Sequence, residues 1–236
     1  MNEHVLSNRL AMVASYLPQG AFFADIGSDH AYLPCFVCLK DEQARAIAGE
    51  VNEGPFQSAV NEVEKNDLED RISVRKGDGL DVLHEGEVDH IIVAGMGGTL
   101  ISSILENGKE KLGAVKRIIV QPNVDAESCR RWFDQNGFML TDEHILEESG
   151  HIYEVLVADA DGQESPYEPD NKEKQLYFGP FLTSAKTQPF IEKWKEELTK
   201  KQRVLSQIEK AKQPDPSKVE EFKKKIHWIE EVLGNG

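Results

Sequence analysis

The chain has 236 residues, of which 39% are hydrophobic and 29% are charged, and its formal net charge is −15. This composition is that of a globular protein in water, and no stretch approaches the about 20 apolar residues that span a bilayer. The opening residues, 1–4, show neither the basic start nor the apolar segment of a secretion signal. We therefore expect a cytoplasmic protein that makes no contact with membranes.

The charge is unevenly distributed along the chain. Residues 171–236 hold 14 Lys or Arg and 10 Asp or Glu, a net charge of +4, whereas residues 1–170 carry −19. The acidic body argues against broad nucleic-acid binding, whereas a mildly basic tail is compatible with local contact to phosphates. A second explanation stays open, because lysine-rich helices are often simply solvated surfaces.

A helix is predicted over residues 6–17, where apolar side chains recur at helical spacing before the stop at Pro18-Gln19-Gly20. Apolar runs then indicate buried strands at residues 21–27, 44–50, 88–95 and 116–121, and the alternating residues 72–75 indicate one more. Helical stretches lie between them, notably at residues 55–66 and 99–107. Strands that are apolar throughout and alternate with helices predict a parallel sheet covered on both faces.

Two further strand candidates, residues 138–140 and 152–157, are too close in sequence for a crossover helix. They are expected to pair as an antiparallel hairpin at one edge of the sheet. The predicted fold is therefore α/β, with a mostly parallel seven-stranded sheet and an antiparallel edge hairpin. This order is typical of Rossmann-like class I methyltransferases and differs from that of dehydrogenases.

The last part of the chain predicts a helical hairpin. Residues 161–170 are polar and contain glycine and proline, so they are expected to link a domain at 1–160 to a second at 171–236. Apolar residues recur there at coiled-coil spacing, at positions 191, 194, 198, 205, 208, 219, 222, 226, 229 and 233. This pattern indicates two antiparallel helices in a short coiled coil. Ser217 is the expected N-cap of the second helix, with Glu220 completing a capping box.

The three cysteines form no disulfide framework, because their number is small and odd. Cys35 and Cys38 make a C-x-x-C pair, but the chain lacks the second pair that a zinc site of this type needs. At a spacing of three on a helix they are expected to be ordinary buried thiols, like Cys129. No metal site is predicted.

The first predicted strand ends in a turn that contains Asp25, Gly27 and Ser28. Gly27 permits a tight turn close to a ligand above the carboxyl ends of the strands. The dinucleotide pattern G-x-G-x-x-G is not met, because Asp29 and His30 stand where that pattern leaves bare backbone for a pyrophosphate. S-adenosylmethionine has no phosphate and carries an ammonium and a sulfonium, so carboxylates suit it. Asp25, Gly27 and Ser28 are therefore expected to bind this cofactor.

Carboxylates also follow the second and third predicted strands. Glu50, with Val51 beside it, closes the second strand and can accept hydrogen bonds from both ribose hydroxyls of adenosine. Asp78 and Gly79 follow the third strand, where the carboxylate can accept from the exocyclic amine of adenine. Each carboxylate taken alone could be a solvated loop residue. Their succession at neighbouring strand ends favours one adenosine site.

The fourth and fifth strands end in small and amide side chains. Gly95, Gly97 and Gly98, which flank Met96, clear space beside the methyl group to be transferred, and Gln121 and Asn123 offer two amides on a turn stiffened by proline. Of these, Gly95, Met96, Gly97 and Gln121 are expected to bind the cofactor. The Asn/Asp-Pro-Pro-aromatic motif of many amino-group methyltransferases is absent from the end of the fourth strand. Its absence argues against a standard exocyclic-amine mechanism.

Several distinctive motifs occur together and in order. They are D-I-G-S-D-H-A-Y-L-P at 25–34, G-P at 54–55, G-D-G-L at 77–80, A-G-M-G-G at 94–98, Q-P-N at 121–123 and Y-E-V at 153–155. With these motifs, residues 5–158 resemble the bacterial tRNA (adenine-22) N1-methyltransferase family, the TrmK type, and the helical tail is also similar. The resemblance implies methylation of N1 of adenine 22 in tRNA, with S-adenosylmethionine as methyl donor and tRNA as partner.

In such a reaction the ring nitrogen attacks the sulfonium methyl directly, so positioning is the main demand and the product base is a cation. Asp29 is the first candidate to stabilise that charge, with His30 in support. Tyr32 is a candidate for stacking on the flipped adenine, and Asn123 completes the expected catalytic group. Packing in the protein core is an equally open role for Tyr32.

Contacts to tRNA phosphates are expected from Arg9 in the first helix and from lysines of the tail. These lysines are Lys193, Lys200, Lys201, Lys223, Lys224 and Lys225. Three other functions stay open: a methyltransferase for a small molecule or a protein, a Rossmann dehydrogenase, and a tRNA-binding protein without activity. A monomer is expected, with a homodimer through the tail as the alternative.

Overall fold

The computed structural model describes residues 5–162, 164–210 and 215–234. Its strands are β1 (Phe22–Ile26), β2 (Arg45–Glu50), β3 (Ile72–Lys76), β4 (His90–Gly97), β5 (Arg117–Val124), β6 (Met139–Glu148) and β7 (His151–Asp159). Its helices are α1 (Asn8–Ser15), α2 (Tyr32–Lys40), α3 (Glu53–Lys65), α4 (Gly98–Asn107), α5 (Ala126–Gln135), α6 (Lys172–Phe178), α7 (Pro180–Ala185), α8 (Gln188–Glu209) and α9 (Pro216–Leu233). Short 3-10 helices at Gly79–Val82 and Lys109–Ala114 follow β3 and α4.

The strands form one sheet in the order β3-β2-β1-β4-β5-β7-β6. β1 to β5 are parallel, whereas β7 runs antiparallel to both β5 and β6. The predicted fold, including the antiparallel edge hairpin, is thereby confirmed. The strand order reverses between β1 and β4, and the crevice at this point is where sheets of this type bind ligands.

The central strands are apolar throughout because both faces of the sheet are covered. In β4, Ile91 and Val93 belong to the apolar cluster on one face, and Ile92 belongs to the cluster on the other. The same alternation separates Ile118 from Ile119 in β5, and all five side chains are fully buried. Burial on two faces fixes the strands firmly, so their carboxyl ends form a rigid platform.

The tail has its own apolar cluster at the edge of the sheet. Tyr177, Phe190, Trp194 and Ile229 are buried together with Ile145 of β6. Two short helices, α6 and α7, precede the hairpin, which consists of α8 and α9. The hairpin is therefore shorter than the predicted 171–236. The division of the chain into domains at 1–160 and 171–236 stays a prediction.

The second helix of the hairpin is capped by Asp215. Its carboxylate accepts hydrogen bonds from the backbone N–H groups of Ser217 at 3.0 Å and Lys218 at 3.4 Å, and Pro216 takes the first helical position. A helix N-terminus favours a negative charge, and proline suits its first turn. The prediction of a capping box at Ser217 and Glu220 was therefore wrong. Pro214, which was also part of the predicted turn, lies outside the described residues.

A buried charge network joins the tail to the sheet. Arg130 of α5 forms ion pairs with Glu143 of β6 at 2.6 Å and with Glu154 of β7 at 2.9 Å, and each of these side chains is at most 2% exposed. Glu154 also pairs with Lys193 of α8 at 2.5 Å. Burial raises the pKa of Glu143. Burial also opposes ionisation of Glu154, but Lys193 and Arg130 outweigh it and hold the pKa of Glu154 below its ordinary value.

Among the described residues, no helix is long and apolar enough to cross a membrane, and no group of three His, Cys, Asp or Glu side chains is placed to hold a metal ion. Cys35, Cys38 and Cys129 are buried free thiols. Burial raises the pKa of Cys38 to about 11, so its reactive thiolate is scarce at neutral pH.

Candidate functional site

The chain turns sharply where β1 ends. Gly27, Asp29 and Ala31 have φ angles of 73°, 59° and 54°. The left-handed region is easily reached by glycine and is tolerated by aspartate. A Cβ at Gly27 would overlap the end of the Met96 side chain, so this glycine also leaves room for a side chain that reaches from β4 to the end of β1.

Asp25 is buried at the end of β1, and its carboxylate accepts a hydrogen bond from Ser28 Oγ at 2.7 Å. Burial raises the pKa of Asp25 to about 7, against a lowering effect of the Ser28 bond. The negative charge of Asp25 is therefore poorly solvated, and a cationic ligand would stabilise it. Asp25, Gly27 and Ser28, which the sequence assigned to the cofactor, do lie together.

Glu50 links the end of β2 to this turn. Its side chain is buried, and it accepts a hydrogen bond from the backbone N–H of Asp29. Burial raises the pKa of Glu50. Val51, the next residue, is 54% exposed. The two buried carboxylates, Asp25 and Glu50, thus belong to one site at the ends of adjacent strands.

Asp29, His30 and Tyr32 form the outer rim of the turn. The side chain of Asp29 is 68% exposed, and its Oδ1 lies 3.6 Å from Nε2 of His30. The His30 ring stacks on Tyr32, with ring centroids 5.1 Å apart and an angle of 23° between the planes. Tyr32 is half-buried and also packs against the apolar cluster on this face of the sheet. Both roles expected for Tyr32 are therefore compatible with its position.

A ring of hydrogen bonds joins the ends of β4 and β5. Gln121 is fully buried, and its Oε1 accepts from the backbone N–H of Gly95 at 3.1 Å and from the guanidinium of Arg9. Its Nε2 donates to Asn123 Oδ1 at 3.2 Å, and Asn123 Nδ2 donates to the carbonyl of Gly95 at 2.7 Å. The two bonds that Oε1 accepts fix the orientation of the Gln121 amide. The ring in turn holds the exposed Asn123 side chain at the mouth of the site.

The other predicted cofactor residues surround the same crevice. Asp78 is exposed and precedes the 3-10 turn that begins at Gly79, whose φ is 52°. The pairing of β2 with β3 places this turn beside the end of β2. Gly97 ends β4 opposite Val124 of β5. Contacts in the structure therefore connect the ends of β1, β2, β4 and β5, and the sheet order sets Asp78 next to them.

A groove of about 720 Å³ lies between the strand ends and the tail. Asn123 and Tyr153 line its wall on the sheet side, and α8 and α9 form the opposite wall. Four lysines also line it: Lys193, Lys200, Lys201 and Lys225. The walls come from distant parts of the chain, so no local sequence pattern could have predicted this groove.

The predicted RNA-contacting lysines have different surroundings. Lys193 and Lys200 each pair with glutamate, and the partner of Lys193 is buried. Lys201 lies half-buried against aromatic rings, and burial lowers its pKa. Lys224 lies 4.7 Å from the centroid of the Trp228 ring and is not among the residues that line the groove. Three of these four lysines line the groove, and Lys201 is the one among them whose positive charge is disfavoured by burial. A bound phosphate would stabilise that charge.

Comparisons with known proteins agree with this geometry. The family model described as TrmK, tRNA (adenine(22)-N(1))-methyltransferase, matches residues 23–231. A tRNA (adenine(22)-N(1))-methyltransferase of Bacillus subtilis is 46% identical over 100% of both chains.

Solved structures extend this similarity to the fold. The crystal structure of the B. subtilis m1A22 tRNA methyltransferase TrmK has a TM-score of 0.92 at 45% identity, covering 98% of this chain and 99% of that one. M. capricolum TrmK in complex with S-adenosyl-homocysteine has a TM-score of 0.83 at 26% identity, covering 98% and 99%. The chain belongs to the tRNA (adenine(22)-N(1))-methyltransferase family.

Proposed function

We propose that this protein transfers a methyl group from S-adenosylmethionine to N1 of adenine 22 in tRNA. The observation that carries the proposal is the pair of buried carboxylates, Asp25 and Glu50, at the crevice where the strand order reverses. This crevice lies in a chain whose family is described by that reaction. Transfer RNA as the substrate would place the activity in the cytoplasm.

The residues present fit the cofactor. The ammonium and sulfonium groups of S-adenosylmethionine are positive, and the crevice presents Asp25 as a poorly solvated carboxylate. Glu50 would bind the ribose hydroxyls, and Asp78 would bind the adenine amine. Gly27 takes the left-handed φ of 73° that the turn needs, and the Met96 side chain lies against it.

The affinity for S-adenosylmethionine is expected to rise as the pH is raised from 5 to 7. The rise should be at most about tenfold per pH unit. The raised pKa, about 7, means that Asp25 is partly neutral in this range, and a cationic ligand prefers the ionised form. The ligand keeps its own ammonium charge at these pH values. Calorimetric titration at several pH values measures this effect.

The variant Asp25→Asn is expected to lose most of that pH dependence. In the protein without ligand, the raised pKa of Asp25 has the opposite effect, on folding stability. The contribution of protonated Asp25 to the stability of the folded state is complete below the ordinary pKa of 3.8 and is lost as the pH rises through about 7. A pH profile of binding that is identical in the wild type and in Asp25→Asn would contradict this role.

In the proposed mechanism the bound cofactor supplies an electrophilic methyl group. The lone pair of adenine N1 forms the new bond to carbon, the carbon–sulfur bond breaks with its electron pair going to sulfur, and the positive charge moves to the base. The protein holds the base in line, which can lower the barrier by roughly 7–11 kcal/mol. Asp29 and the Asn123 amide oxygen would face the developing charge, and Tyr32 would stack on the adenine.

The RNA beside adenine 22 is proposed to occupy the groove between the strand ends and the tail. Asn123 lines this groove and also belongs to the hydrogen-bond ring of the site, so the groove is continuous with the proposed catalytic pocket. The target base must leave its stack before its N1 can meet the methyl group. This step costs a few kcal/mol, which phosphate contacts would offset. Arg9, Lys193, Lys200 and Lys224 remain predicted contacts.

Lys201→Gln is expected to weaken tRNA binding by about threefold to tenfold and to reduce the slope of log affinity against log salt by about one. The reason is that Lys201 lines the groove half-buried, where a phosphate would replace lost solvation. Lys195→Gln is the matched control, because Lys195 is an exposed residue of α8 that does not line the groove. Filter binding at several salt concentrations measures both variants, and equal slopes would contradict the groove.

The proposed reaction is tested directly by incubating the protein with unmodified tRNA and methyl-labelled S-adenosylmethionine. Mapping is expected to find 1-methyladenosine at position 22, and a tRNA with guanine at that position should accept no label there. Label in a protein or a small molecule instead would show one of the other methyltransferase activities. Cofactor binding without label in any tRNA would indicate a tRNA-binding protein.

A further inference from the structure

Arg9 lies inside the candidate site although it belongs to the helix that precedes the sheet. Its guanidinium reaches the ends of β4 and β5, where it donates a hydrogen bond to Gln121. Its Cζ lies 5.2 Å from the centroid of the Tyr153 ring. A Cβ placed on Gly95 would be 3.7 Å from Arg9 Nη1, so the guanidinium also borders Gly95, which lies near the carboxyl end of β4.

Among the residues that the structure describes, the partners of Arg9 are neutral. An amide oxygen and an aromatic ring orient a guanidinium but do not neutralise its charge. Gln121 accepts from one of the five N–H donors, and the guanidinium carbon lies over the Tyr153 ring. Because Gln121 also accepts from the Gly95 N–H and bonds to Asn123, the guanidinium is held in a fixed position before any ligand arrives.

The charge of Arg9 differs from that of its surroundings. The rest of the crevice presents acidic side chains, at Asp25, Asp29, Glu50 and Asp78. These match the ammonium, the sulfonium and the hydroxyls of the cofactor, but they would repel its α-carboxylate. The fixed guanidinium of Arg9 beside Gly95 supplies the opposite charge. It lies where the amino-acid end of the cofactor would meet the ends of β1 and β4.

We propose that Arg9 binds an oxyanion above the ends of β4 and β5. Two groups of the proposed reaction share this chemistry: the α-carboxylate of S-adenosylmethionine and a phosphate of the bound RNA. β1 and β4 pair in parallel with Ile26 opposite Val93, so Gly95 lies near the turn that follows β1, which favours the carboxylate. Only the identity of the ligand rests on the proposed function, since the fixed cation is a property of the fold itself.

The test compares two nucleosides that differ in the amino-acid end. S-adenosylhomocysteine has the α-carboxylate, whereas 5′-methylthioadenosine keeps the adenosine and the sulfur but lacks it. In Arg9→Gln the dissociation constant of S-adenosylhomocysteine is expected to rise about 10-fold to 100-fold, and that of methylthioadenosine less than about threefold. Arg9→Lys, which keeps the charge, is expected to fall between the wild type and Arg9→Gln.

Arg45→Gln is the matched control, because it removes the same charge from an exposed position at the amino end of β2. It should leave both dissociation constants unchanged. If the oxyanion is instead a phosphate of the RNA, Arg9→Gln should bind both nucleosides as the wild type does. It should bind tRNA more weakly, with the slope of log affinity against log salt reduced by about one.

Two results would overturn the proposal. Equal weakening of both nucleosides would show that Arg9 only maintains the shape of the pocket, and no change in any of the three affinities would show that it binds no anion. Methylation of tRNA by the wild type is measured separately. A wild type without methylation, together with a selective loss of S-adenosylhomocysteine binding in Arg9→Gln, would reject the proposed function and leave the oxyanion site standing.

Discussion

Replacing Glu143 with leucine is expected to lower the free energy of unfolding by about 3–5 kcal/mol. Glu143 and Glu154 together neutralise the buried guanidinium of Arg130, and Glu143 Oε2 also accepts the backbone N–H of Phe181 at 3.0 Å. The variant leaves Arg130 with one carboxylate, which Lys193 shares, and leaves a backbone donor without this acceptor. Unfolding in urea, followed by circular dichroism, measures the loss.

A neighbouring ion pair provides the control. Arg131 pairs with Glu173 at 2.7 Å, close to the 2.6 Å between Arg130 and Glu143, but the Glu173 side chain is 60% exposed. Glu173→Leu should therefore cost less than about 1 kcal/mol, because water solvates the remaining charge. The double variant Arg130→Met/Glu143→Leu should recover part of the loss of the single variant, since it leaves no unbalanced buried cation. A single variant as stable as the Glu173→Leu control would contradict this account of the network.

The network also forms part of the proposed RNA groove. Arg130, Glu154 and Lys193 line the groove as well as holding α8 against the sheet. Lys193 is therefore engaged in a structural ion pair in the free protein, although the sequence suggested a contact to RNA. A phosphate that approached Lys193 would have to compete with the buried Glu154. This competition makes Lys193 a weaker candidate than Lys201 for a direct RNA contact.

The central strands could be predicted from the sequence because each carries its own signal, whereas for the edge strand β6 only residues 138–140 were predicted. A strand buried on both faces, such as β4 or β5, must be apolar at successive positions, and this needs no knowledge of its partners. Helix α5 carries no such signal, since its buried face includes Arg130 beside Trp132 and Phe133. The burial of Arg130 makes sense only once the glutamates of β6 and β7 are in place.

The residues of the candidate site likewise divide into those that the sequence could place together and those that only the folded structure brings in. Asp25, Glu50 and Asp78 could be placed together in advance, because topology brings the carboxyl ends of successive parallel strands to one edge. The bond between Arg9 and Gln121 spans 112 residues and depends on how α1 packs against the sheet. From the sequence, Arg9 was predicted only as a contact to tRNA phosphates, and its inward position is a result of tertiary packing.

Asp29→Asn is expected to lower kcat by about 100-fold to 1,000-fold while it changes the dissociation constant of S-adenosylmethionine by less than about threefold. The carboxylate is exposed at the rim of the turn, where it would face the positive charge that develops on adenine. Asparagine tolerates the left-handed φ of 59° and keeps the backbone N–H that binds Glu50. Single-turnover methylation and calorimetric binding of the cofactor separate the two effects.

Two further variants make this result specific. Asp67→Asn changes another exposed aspartate with a left-handed φ, 53°, which lies at the end of α3 and away from the carboxyl ends of the strands, so it should leave kcat unchanged. Glu50→Gln should show the converse of Asp29→Asn, with the cofactor dissociation constant raised about 10-fold to 100-fold and a smaller effect on kcat at saturating cofactor. If Asp29→Asn instead weakened cofactor binding as much as it slowed turnover, Asp29 would be a cofactor ligand. The charge on the methylated base would then have to be stabilised from the other side of the pocket, where the Asn123 amide is held by Gln121.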